Sequence, residues 1–262
     1  MSLPPATPPG LDAPPPGYGP RPPRSSTLSA FRRRHRGVEW LAGGITALVL
    51  ALVLGALFLY HLEGGSAPGK LALPPAAGVG SGPIAAGPVS GTWKVTTGSQ
   101  AGYRVQEILL GLHHTAVGRT SKVSGGMIIS GTTVDAADFT VDMAAVTTDA
   151  AGRNVQFHDY ILKTGSYPTA TFRLTKPIQL GTVPGDSQVV TEPATGNFTL
   201  RGVTRPVTFT IKAERVTGGI DLNAEIPIHF ARWKIPNPSF AVAKVGNTGT
   251  IEVLLHLIPS KA

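Results

Sequence analysis

Between Gly91 and Ser260 apolar and polar side chains alternate with period two, which restricts the fold to half-buried strands. Tyr103 and Val105 face away from Arg104 and Gln106. Phe139, Val141 and Met143 alternate with Thr140 and Asp142, and Phe172 and Leu174 flank Arg173. Phe198 and Leu200 flank Thr199, while Val207, Phe209 and Ile211 oppose Thr208 and Thr210. Leu222, Ile226 and Ile228 oppose Asn223 and Glu225, and Val253 and Leu255 close the series. These runs are short, rich in Val, Ile, Thr and Phe, and separated by Gly, Pro or Asp turn signals. Arg153–Leu162 breaks the period: Phe157, Tyr160 and Ile161 recur at helical spacing, which predicts one or two helical turns. No helix is long enough for a parallel crossover, so the domain 91–260 is expected to be all-β. It should hold about eight antiparallel strands in a sandwich or closed barrel.

Upstream the texture changes. Residues 1–37 are rich in Pro and Arg: the first 36 hold ten of the 24 prolines and six arginines against Asp12 alone. They read as a disordered tail that carries +5 of the formal +8 charge, so the net charge is no signal for nucleic acid. Trp40–Tyr60 contains no charged residue, and about 20 apolar residues span a bilayer core. A transmembrane helix is therefore expected over 38–62, with Trp40 and Tyr60 at the interfaces. The arginines before it place the N-terminus in the cytoplasm and the strand domain outside, a single-pass topology in the cell membrane. A cleaved signal peptide is the alternative, but the stretch is long and starts deep in the chain. Residues 63–90 are Gly/Pro/Ala linker; Gly78, Gly80 and Gly82 open no helix, so no dinucleotide fingerprint is present.

Candidate chemistry is sparse. The chain has no cysteine, which excludes disulfides and thiolate metal sites. His113-His114 and His158-Asp159 lack zinc-ligand spacing and read as exposed loop residues. Asp142 and Asp149 read as solvated, and no G-x-S-x-G occurs. The expectation is a protein that is not an enzyme and has neither a metal nor a resident cofactor. The inward-facing side chains either fill the core or line a cavity, and alternation does not choose between them.

Two motifs go further. In the stretch Val146–Phe172, Arg153 and the Phe157/Tyr160/Ile161 helix precede Tyr167-Pro168-Thr169-Ala170-Thr171-Phe172. A second motif runs from Phe198 through Leu200-Arg201-Gly202-Val203-Thr204-Arg205-Pro206 to Val207. In order and spacing they resemble the YceI-like family of bacterial lipid-binding proteins, over about residues 91–258. Asn154 departs from the family's Arg-Asp pair, and Gly98-Ser99-Gln100 stands where an His-Ser is common. The loop Trp233–Phe240 looks like a subgroup feature. The resemblance implies a lipocalin-like barrel that holds a polyisoprenoid, or a quinone or fatty-acyl amphiphile, against the inner face named above. Trp93, Arg153 and Trp233 are then candidates for the mouth, Arg153 having a structural role as its alternative. The competing reading is a filled barrel that binds a protein partner through its outer surface.

Overall fold

The structure, a computed structural model, describes residues 47–55, 67–74, 88–109, 111–181, 188–239 and 243–260. Residues 47–55 are helical, and Leu48, Leu50, Leu52 and Leu54 are all exposed. Among the described residues no helix is long and apolar enough to cross a membrane. The tail 1–37, the rest of the stretch 38–62 and much of the segment 63–90 lie outside the described residues. Met1–His61 and Leu62–Ala262 are separate compact units, and the second carries every strand described below.

Those strands are β1 (Gly91–Val95), β2 (Gln100–Leu109), β3 (Leu112–Thr120), β4 (Val123–Ser130), β5 (Thr133–Asp142), β6 (Thr147–Thr148), β7 (Thr169–Leu174), β8 (Ile178–Gln179), β9 (Val190–Leu200), β10 (Val203–Val216), β11 (Gly219–His229), β12 (Ala243–Val245) and β13 (Thr248–Pro259). All pairings are antiparallel. The order β1-β4-β5-β7-β9-β10-β11-β13 closes on itself through β1 and β13, giving an eight-stranded barrel. Where the ring closes, it leaves no unpaired edge, the liability of an open sheet. It also makes the unit self-contained, since ring and core both lie within it.

The ring is complete only in its lower half, toward the β1 end. β1 and β2 run along the same edge of β13, interrupted at Thr96–Ser99. There Thr96 N–H donates to His256 O at 2.9 Å and His256 N–H to Ser99 Oγ at 2.9 Å, so the break satisfies its own polar groups. Below the break β1 pairs with β4; above it β2 pairs with β3. β3 does not pair with β5, and β6 and a helical hook occupy the connection between β5 and β7. β10 and β11 likewise pair only from Ile211/Ala224 down to Val216/Gly219 and part above that. The upper half is therefore flared.

Alternation decides what the wall faces. Along β10, Val207, Phe209 and Ile211 point inward while Thr208, Thr210 and Lys212 are exposed. The interior holds two packed clusters. The lower one is built on Trp93, Met127, Ile211, Leu222 and Leu255. The upper one is built on Phe157, Phe198, Leu200, Ile226, Ile228 and Trp233. Each fully buried Leu, Ile or Phe stabilises by about 1.5–3 kcal/mol. The β9–β10 hairpin turns through Arg201 (φ 50°) and Gly202 (φ 70°), the paired positive φ of a two-residue turn.

Residues 67–74 lie across the outer wall of the barrel. Asn223 Nδ2 donates to Leu71 O at 2.8 Å, Arg104 Nη2 to Pro68 O at 2.6 Å, and Arg119 Nη2 to Gly69 O. Lys70 pairs with Glu225 at 2.9 Å. Beneath this strap Glu252 is 0% exposed, held by Arg104 Nε at 2.6 Å and Arg119 Nη2 at 3.4 Å.

Candidate functional site: the barrel interior and its upper mouth

Most of the inner-face residues named from the sequence do point into the barrel. Met143, Phe157, Phe198, Leu200, Ile226 and Ile228 belong to the upper cluster, with Val105, Val141, Val207 and Ile161 against it. Ile211, Leu222 and Leu255 belong to the lower cluster, with Phe139, Leu174 and Val253 against it. Phe172 and Phe209 touch both clusters and meet edge to face at 5.1 Å. Inward direction does not mean full burial at this level. Phe139, Val141, Phe172, Leu174, Val207, Phe209 and Val253 are each only half-buried, between two tightly packed ends.

Tyr160 is a correction. It is 67% exposed, on the outside of the hook. The hook begins as an α-turn (Ala151–Val155) but widens into a π-turn (Gln156–Ile161), with Leu162 N–H bonded to Phe157 O at 2.9 Å. The wider turn rotates successive side chains differently from the i, i+3, i+4 pattern. Phe157 stays inside, stacked on Tyr103 with centroids 5.1 Å apart and planes 9° from parallel. Burial pushes the Tyr103 phenol well above its ordinary pKa, with Arg153 opposing and Glu107 and Asp149 adding to the shift.

Neither tryptophan rims the mouth. Trp93 is buried in the lower cluster and its Nε1 donates to Val89 O at 2.8 Å, which closes that end. Trp233 is 1% exposed and packs edge to face on Phe198; its Nε1 has no acceptor among the described residues. It follows β11 in the 3-10 turn Phe230–Trp233. Arg153 takes a latching role, since it bridges Glu107 of β2 at 3.1 Å and also pairs with Asp149. Asn154 serves where the family has Asp: its Oδ1 accepts from Thr148 N–H at 2.7 Å and from the Thr148 hydroxyl at 2.9 Å. An amide oxygen makes both bonds as a carboxylate would.

His158 is not an exposed loop residue. Its Nε2 donates to Val146 O at 2.9 Å and its Nδ1 hydrogen-bonds the Thr164 hydroxyl at 3.1 Å, so both nitrogens serve the hook. His113 and His114 open β3 rather than lying in a loop. Among the described residues no group of His, Asp or Glu is arranged to hold a metal. An outer groove of about 470 Å³ lies where β3 gives way to β4, lined by Lys122, Ser124, Thr140 and Asp142. Val123 and Pro168 line it too, and the charged Lys122 and Asp142 set it apart from the apolar interior.

The sequence of residues 93–257 matches the YceI-like domain. The chain belongs to the YceI-like family. Solved structures align with the chain at low identity. One is a polyisoprenoid binding domain from Saccharophagus degradans implicated in plant cell wall breakdown. It aligns with TM-score 0.52 and 17% identity over 64% of this chain and 98% of that one. BcnA of Burkholderia cenocepacia aligns at TM-score 0.45 and 16% identity over 60% of this chain and 96% of its own. A Campylobacter jejuni YceI protein aligns at 0.41 and 18%, over 55% and 85%. No curated protein matches the chain.

Proposed function

We propose that this YceI-like barrel is a binding protein, not an enzyme, which holds one long apolar chain of the isoprenoid type in its interior. The observation that carries the reading is the girdle around Phe172 and Phe209, inward-facing yet only half-buried between two packed cores. The polyisoprenoid binding domain that shares the fold, with nearly its whole length covered, supports the choice of ligand class. We place the barrel outside the cytoplasmic membrane, with 38–62 as a single-pass anchor. The wholly uncharged helical residues 47–55, exposed from 47 to 54, support that placement, because such a surface is stable in lipid rather than in water.

Energetics favour a reservoir in the bilayer. At about 0.8 kcal/mol per CH₂, transfer of a long isoprenoid from water would exceed the practical affinity ceiling of roughly 20 kcal/mol. The working exchange is therefore bilayer to barrel, where the hydrophobic terms nearly cancel and fit decides.

The test is extraction and mass spectrometry of Leu62–Ala262 purified without detergent. A stoichiometric isoprenoid, quinone or acyl species is expected. A barrel that stays empty after incubation with membrane lipids would replace this reading with a filled module acting through its outer surface.

A further inference from the structure

The upper end of the barrel carries a charge pattern that ligand enclosure does not require. Arg201 lies in the β9–β10 turn and Arg205 just after it; Arg232 and Lys234 lie in and after the 3-10 turn that follows β11. Arg201 Nη1 donates to Lys234 O and Arg205 Nε to Arg232 O, so two elements that have parted as strands are tied together by their basic residues. Arg232 also lies over the Trp233 ring, 5.5 Å from its centroid. None of these four cations pairs with a carboxylate among the described residues. Their guanidinium bonds go to backbone carbonyls, which leave the charge uncompensated.

Carboxylates are present at this end too. Glu107 and Asp149 share Arg153, Asp142 accepts the Ala144 N–H at 2.9 Å and keeps its charge, and Asp159 is exposed on the hook. Exposed apolar and aromatic side chains also occur at this end: Leu112 at the β2–β3 tip, Tyr160 on the hook, and Tyr167. Tyr167 links the two regions, since a Cβ on Gly202 would meet its ring at 2.5 Å. The lower half carries the exposed Lys94, Lys176 and Lys212 with exposed Ile128 and Ile258, but no projecting tyrosine among the described residues.

We propose that this upper end is a docking face for an anionic bilayer surface. The cations answer lipid phosphates and the projecting tyrosines enter the headgroup layer, where amphipathic rings are favoured. Docking in this pose brings the parted β10–β11 wall onto the bilayer. The proposal goes beyond cargo binding and does not depend on the identity of the cargo or on the anchor.

Co-sedimentation of Leu62–Ala262 with vesicles tests it without interference from residues 1–61. Vesicles of phosphatidylcholine mixed with phosphatidylglycerol should bind the unit at low salt and release it at high salt; pure phosphatidylcholine should bind it poorly. Each cation removed should weaken binding about five-fold, so the double substitution Arg232→Gln/Lys234→Gln should weaken it about 25-fold at unchanged melting temperature. Tyr160→Ser, an exposed position, should weaken it further while leaving the fold intact. Absence of binding to anionic vesicles overturns the proposal, as does undiminished binding by the folded double variant. Saturable binding of soluble pyrophosphate without vesicle binding would instead assign the cations to the head group of a bound ligand. Failure of the cargo reading is seen separately, by extraction.

Discussion

The ring of Phe172 on β7 meets that of Phe209 on β10 edge to face at 5.1 Å, although β9 runs between their strands. The pair forms the waist that joins the two cores. Replacement of Phe209 by Arg places a charge there, at a half-buried side chain that packs against both clusters without belonging to either buried core. Detergent-free Phe209→Arg should yield no bound lipid on extraction while keeping its β circular dichroism, and Phe209→Leu should keep its lipid. An arginine variant that still carries stoichiometric lipid would move the ligand outside the barrel.

Gly196 on β9 is what lets the Phe172 ring lie flat under the wall. A Cβ there would stand 2.4 Å from Arg173 O and 2.5 Å from the Phe172 ring. Gly196→Ala therefore forces the backbone or the ring to move. We expect a loss of about 1–3 kcal/mol, read as a lower melting temperature.

Glu252 offers a comparison of two ways to disturb the outer wall. Glu252→Ala leaves Arg104 and Arg119 facing each other without a counter-charge and should cost about 3 kcal/mol. Deletion of residues up to 74 removes the carbonyls that cap those guanidiniums but leaves Glu252 in place, and Asn223 Nδ2 retains Val253 O at 2.9 Å. The deletion should cost less, about 1–3 kcal/mol, in a denaturant titration. The reverse order would mean that the strap, not the ion cluster, organises this wall.

Glu214 stands opposite Asp221 on the neighbouring strand, and both are buried. Burial, then the Asp221 charge, raises the Glu214 pKa. A carboxyl raised in the folded state contributes stability that is fully present below its unfolded pKa, about 4.3, and is lost as pH rises through the folded value. Glu214→Gln should therefore stabilise at neutral pH by about 0.2–1 kcal/mol, the scale of a like-charge cross-strand pair. The gain should vanish toward pH 4; a gain independent of pH would assign it to packing.

Alternation made most of the inner face legible, because a strand repeats every two residues wherever it pairs: Phe139, Phe198, Phe209 and Leu255 all point as the pattern requires. Tyr160 misled because local spacing assumes an α-turn, and the π-turn at Gln156–Ile161 becomes visible only once the Leu162 bond to Phe157 is known. Glu252, Asn223 and Asp221 alternate with inward apolar residues, yet all three are buried. Their burial depends on segments distant in sequence, such as Leu71, which is 152 residues from Asn223. The basic cluster was hidden for the same reason. Arg201 and Arg205 precede Arg232 and Lys234 by a full hairpin and meet them only across the parted wall.

The strap across the outer wall changes the length of leash on which an anchored barrel would swing. Counted from Tyr60 to the first residue of β1, the connection reaches about 100 Å fully extended. Under the anchored reading proposed above, the Pro68 bond to Arg104 would make Pro68 rather than Gly91 the point of attachment, and eight residues extend to at most about 29 Å. The strap, not the length of the segment ahead of β1, would then set the reach of the barrel.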